Sequence, residues 1–209
     1  MDAYLDNEPL ESSVGEDERL EALLAEVNRA MSERDRVVVA ILCNDQEVNA
    51  DALPKALATP LSEFQRVELR SQPAGEVARA VLDQASGLLE ETEREQPGIV
   101  EMLNEGNTVR GMELLAGSFR LWLQAHEAVL GAIRLGSVPL DDVRVDGTPS
   151  VDIVNGLKDK LEQIKEALEA RDYVMLADIL QYELPETLQT WKSLIGQLHQ
   201  VISPERPSP

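Results

Sequence analysis

The stretch TVRGMELLAGSFRLWLQAHEAVLGAIRL (108–135) decides the fold class. Val109, Met112, Leu115, Phe119, Trp122, Leu123, His126, Val129, Leu130 and Ile133 recur at steps of one, three and four, the spacing that stacks side chains along a helix. No proline interrupts them. The segment therefore predicts one helix of roughly 42 Å at 1.5 Å per residue, long enough to be the spine of a bundle.

Toward the C-terminus, Gly136, Pro139, Gly147 and Pro149 mark 136–150 as a linker in which Val143 and Val145 could pair briefly as a strand. Ser150 or Asp152 is expected to cap a helix whose stripe is Ile153, Val154, Leu157, Leu161, Ile164 and Leu168. A joint at Arg171-Asp172 leads to Tyr173, Leu176, Ile179 and Leu180, and Pro185 should kink this segment or begin another helix. Leu188, Trp191, Leu194, Ile195, Leu198 and Ile202 carry the last stripe. Toward the N-terminus, helix is expected from Pro73 through Leu89 and should stop at Pro97-Gly98.

Before Pro73 the period changes. The run Val37–Leu42, followed by Asn44-Asp45 and Gln46-Glu47-Val48, reads as a hairpin, and Val67 and Leu69 alternating with Arg66, Glu68 and Arg70 read as a strand with one wet face. Leu20, Leu23, Leu24, Val27 and Met31 predict a helix over 16–33. The expected fold is α+β and predominantly α-helical. It comprises a disordered acidic leader (1–14), an N-terminal helix with a small sheet of two or three strands (15–72), a bundle of four or five helices (73–203) and a disordered tail (204–209).

The chain holds 39 acidic and 19 basic residues, a formal charge of −20. Such a surface repels phosphate backbones and anionic lipid, so neither nucleic acid nor membrane is an expected partner. Cys43 is the single cysteine, which excludes an intramolecular disulfide. The acidic start has no secretory pattern, and no apolar run approaches about 18 residues. These features point to the cytoplasm.

Known chemistries are not legible. His126 and His199 lie in no metal-ligand spacing, and DDVRVDG (141–147) places Arg144 where a calcium loop needs an oxygen. GNTVRG (106–111) lacks the Lys-Ser/Thr ending of a P-loop, and Cys43 falls inside a predicted strand. Glu90, Glu91, Glu93 and Glu95 read as the solvated end of a helix. No catalytic residue, cofactor or metal is expected. Trp122, Tyr173, Tyr182 and Trp191 form the candidate interaction surface, since a large apolar ring with one polar atom suits interfaces as well as cores, with the core as the default placement.

The segment LEQIKEALEARDYVMLADIL (161–180) resembles the helix joint of flagellin-type export chaperones, a family in which the N-terminal sheet has no counterpart. The expected function is an adaptor or chaperone-like module that holds an unknown protein partner in a groove on the bundle. The alternatives are a structural homodimer, or an enzyme built on Asp, Glu and Arg at a cleft, with Arg110, Glu113 and Arg120 as its residues.

Overall fold

In the computed structural model, which describes residues 1–202, the boundary between two separate units falls in the first turn of a helix. One unit is Met1–Glu76 and the other begins at Val77. The fold is α+β and mainly helical, with its five-stranded sheet confined to the N-terminal unit.

That unit contains β1 (Asp2–Leu5), β2 (Glu8–Pro9), α1 (Leu20–Ser32), β3 (Arg36–Cys43), β4 (Gln46–Glu47), the short α2 (Leu53–Ala58) and β5 (Arg66–Pro73). The strand order is β2-β1-β5-β3-β4, with β1 parallel to β5 and every other pairing antiparallel. Leu20, Leu23, Val27 and Met31 of α1 share a core with Ile41, Leu61, Val67 and Leu69. On the other face of β5, Arg66 and Arg70 clasp Glu68, and Arg66 lies 4.2 Å over the Tyr4 ring.

The leader is not disordered throughout, because Asp2–Leu5 and Glu8–Pro9 form a hairpin that adds β1 and β2, and the sheet has five strands rather than two or three. The hairpin turns at Asp6-Asn7, both with positive φ, the backbone that two-residue hairpin loops require. Asp6 then accepts hydrogen bonds from the Ser71 backbone N–H at 2.7 Å and the Ser71 hydroxyl at 2.6 Å, which fastens the turn to β5.

The second unit contains α3 (Ala74–Asn104, entering from the first), α4 (Thr108–Leu135), a hairpin of β6 (Arg144–Val145) and β7 (Thr148–Pro149), α5 (Ser150–Glu169), α6 (Tyr173–Asp178), a π-helical turn (Ile179–Glu183) and α7 (Leu184–Val201). Buried residues of α3 and α4 alternate at steps of four and three: Ala78, Leu82, Ala85, Leu89, Thr92, Gln96, Ile99 and Leu103 on one, Gly111, Leu115, Ser118, Trp122, Ala125, Val129 and Ala132 on the other. These are coiled-coil-like seams. Their apolar members join α5, α6 and α7 in one core. At the α3–α4 turn a Cβ on Gly111 would meet Leu103 Cδ2 at 2.9 Å, so a larger residue there would have to displace the Leu103 side chain.

Pro97 does not end its helix. An interior proline costs about 3 kcal/mol locally, but the turn beyond it buries Ile99 and Leu103, each worth about 1.5–3 kcal/mol. Ser150 does not act as a cap either: its hydroxyl donates to the Val143 carbonyl at 2.7 Å. The tail expected at 204–209 lies outside the described residues.

Candidate functional site

The four aromatics of the expected interaction surface occupy different environments. Trp122 and Trp191 are buried at 1% and 0% exposure, so neither belongs to an open surface. Their rings meet edge to face at 5.9 Å between centroids, and His126 lies 5.5 Å from Trp191. In a core otherwise made of Leu, Ile, Val and Ala, these rings fill the space between α4 and α7, which is why they turn inward. Tyr173 is partly buried against the same core, and Tyr182 is 63% exposed on the π turn.

The aromatic cluster has a polar deficit. Among the described residues, the indole nitrogens of Trp122 and Trp191 and Nδ1 of His126 are buried without a hydrogen-bond partner. Burial pushes the His126 imidazole below its ordinary pKa, against a smaller upward pull from the Glu127 carboxylate. His199, by contrast, pairs with Asp83 at 3.0 Å.

Several polar contacts hold α3 to α7. Glu93 accepts from Lys192 at 2.6 Å and from Gln189 at 3.1 Å, and Arg79 donates to the carbonyls of His199 and Ile202 at the end of α7. The Glu90–Glu95 cluster therefore sits in mid-helix rather than at a frayed end, and Glu93 has an internal partner. Deeper in, the buried Gln96 amide donates to the Leu180 carbonyl.

Two clefts flank this helix pair. One, of about 340 Å³, lies between α5 and α7, where Ile153, Gly156, Leu157, Thr187 and Trp191 line it and the Lys160–Glu183 ion pair crosses its edge. The other, of about 460 Å³, has Pro97, Val100 and Pro185 as its apolar lining and Glu93, Glu101 and Gln181 among its polar residues. Either would suit a side chain or a compact small molecule.

An extended exposed feature is the face of α4 opposite its buried seam. Val109, Glu113, Ala116, Arg120, Leu123, Glu127, Leu130 and Arg134 follow one another at steps of four and three along it. Val109 is 76% and Leu123 50% exposed, while Leu130 is partly buried. Arg110, Glu113 and Arg120, considered above as residues of an enzyme cleft, are exposed on this helix, and Arg110 pairs with Glu113 at 2.9 Å. The alternation of apolar and charged residues was not singled out in the sequence, although its signal is there: charges of alternating sign seven residues apart.

Elsewhere, Cys43 lies half-buried in β3, and burial pushes its thiol pKa up, away from reactivity. Among the described residues no three His, Cys, Asp or Glu side chains converge as a metal site, and no helix is long and apolar enough to cross a membrane. No curated protein and no solved structure matches the chain. One family does match, across residues 80–194, from the second turn of α3 into the second half of α7. The helical unit thus carries the match, and the chain belongs to the family described as domain of unknown function DUF8042.

Proposed function

We propose that the helical unit is a protein-interaction module, adaptor-like or chaperone-like, and that its recognition surface is the exposed face of α4. The observation that carries this reading is the line of Val109, Ala116 and Leu123 along solvent on a helix whose opposite seam is already buried. A helix that is apolar on more than its core-facing side is normally covered in its working state. The face is convex, unlike the groove expected from sequence, and the two clefts are too small to seat a partner helix about 10 Å across. Recognition is therefore helix against helix. A reducing cytoplasm suits the lone thiol of Cys43 and is part of the proposal.

A photo-crosslinking amino acid placed at Ala116 in producing cells tests the surface. A discrete adduct larger than the 23.1 kDa chain is expected, with none from the same group at Glu166, exposed on α5. Recovery of the chain alone from both positions would overturn the reading.

A further inference from the structure

The charges along α4 specify an occupant for its exposed face. We infer, resting on the reading above, that this face binds a second copy of the chain, α4 against α4, antiparallel, with Leu123 on the twofold axis.

Run in opposite directions about Leu123, the stripe is its own complement. With Leu123 opposite itself, Ala116 falls opposite Leu130, and Glu113 and Arg120 of one copy come within one residue, about 1.5 Å of rise, of Arg134 and Glu127 of the other. From Glu113 to Arg134 each charged residue has one of opposite sign within reach and each apolar residue an apolar one, while Val109 lies beyond the paired stretch. A twofold contact must be self-complementary in this way. The parallel arrangement would set Glu113 against Glu113 and Arg120 against Arg120, so the same pattern that favours one orientation opposes the other.

Within the chain these charges have little to do. Arg120, Glu127 and Arg134 form no ion pair among the described residues, because positions three and four away along α4 carry Leu, Gly, Ala, Gln, Ser or Val. Glu113 has only its exposed neighbour Arg110, a contact that adds little and leaves the carboxylate free to share. Since the buried seam is on the opposite side of α4, the two helical units would lie back to back with their cores untouched. The overall charge of −20 opposes association of two copies, so the contact depends on opposite charges meeting locally and on salt that screens the long-range repulsion.

Sedimentation velocity of the full chain near physiological salt, from about 1 to 200 µM, tests the pairing. The native chain should pass from monomer to dimer over this range, and Leu123→Asp should remain monomeric. Arg120→Glu and Glu127→Arg should each weaken the dimer about tenfold or more by setting like charges face to face. The double variant Arg120→Glu/Glu127→Arg should recover to within about threefold of the native chain, because opposite charges again face each other. All these positions are exposed, so the thermal unfolding midpoint should hold and show that folding is intact. A native chain that stays monomeric throughout overturns the inference, as does a dimer indifferent to the single variants or one that the double variant fails to restore. If the chain is monomeric but an Ala116 crosslink to another protein forms and is lost with Leu123→Asp, the second copy is the wrong occupant and the α4 surface stands. If neither is seen, both readings fall.

Discussion

His126 projects from α4 between the core and solvent, beside Trp191, with Nδ1 buried and unsatisfied among the described residues. An unmade hydrogen bond of this kind costs about 1–3 kcal/mol, and a phenyl ring of similar shape has no polar atom to leave unpaired. His126→Phe is therefore expected to stabilise the helical unit by about 1 kcal/mol at pH 7, read from the midpoint of urea unfolding followed by tryptophan fluorescence. An unchanged or lower midpoint would show that the imidazole has a partner. Sequence placed His126, Trp122 and Trp191 on apolar stripes, but it could not show that all three would meet with their nitrogens unpaired. That depends on which turn of α7 comes to lie against which turn of α4. The tryptophans took the core placement that is the default for such rings, and the sequence could not exclude the interface because a helix that buries most of one side leaves no signal at a single ring to tell the two apart.

At the scale of elements, the junction of α6 and α7 is set by one missing N–H. In the π turn the Leu184 N–H reaches the Ile179 carbonyl, and the next bond in that register would run from residue 185 to the Leu180 carbonyl. Residue 185 is proline and cannot make that bond, and the Gln96 amide of α3 donates to the Leu180 carbonyl instead. Gln96→Leu should cost about 1–3 kcal/mol by stranding that carbonyl. Pro185→Ala provides a backbone donor, so the cost of Gln96→Leu should shrink in that background, and a double-mutant cycle of denaturation energies with no coupling would refute the link. Helices were legible wherever the apolar spacing was long. Pro97 misled because a local penalty was outweighed by burial that only the assembled bundle supplies. Hairpins were legible only where their flanks were strongly apolar. Asn44-Asp45, beside the Val37–Leu42 run, was read correctly, while the equivalent Asp6-Asn7 was missed because Tyr4-Leu5 and Glu8-Pro9 are too short to show a period. Asp6→Ala should destabilise the N-terminal unit by about 2–3 kcal/mol, through positive-φ strain and the lost bonds to Ser71, and Asp6→Asn by less. Equal effects of the two variants on unfolding would show that the turn backbone does not matter.

Across the whole molecule, the groups whose titration is shifted by folding are divided between the units. In the N-terminal unit the carboxyls of Asp6, Glu26 and Glu68 lie below their ordinary range. Burial raises that of Asp6, but hydrogen bonds from Ser71 and the charge of Arg36 outweigh it; hydrogen bonds from Ser13 and Ser12 lower Glu26; the Arg70 guanidinium, with Arg66, lowers Glu68. A depressed carboxyl binds fewer protons folded than unfolded, so its stabilisation is complete above about pH 4–5 and lost as pH falls through the folded value. His126, in the helical unit, is also depressed, but from an ordinary value of about 6.5. There too the unfolded chain takes up the proton first, so stability is full above about pH 7 and erodes as pH falls toward the folded value. The helical unit should thus begin to weaken at mild acidity, while the N-terminal unit holds until the carboxylates protonate. Both tryptophans lie in the helical unit, so their fluorescence follows it alone, and pulsed hydrogen exchange on β3 and β5 follows the other. Protonating the acidic surface also relieves self-repulsion throughout, so the decisive comparison is with His126→Phe. In that variant the mild-acid loss of urea stability seen by fluorescence should flatten, and exchange protection of β5 should keep its native pH dependence. A fluorescence profile that His126→Phe leaves unmoved would mean that another group sets the acid response of the bundle.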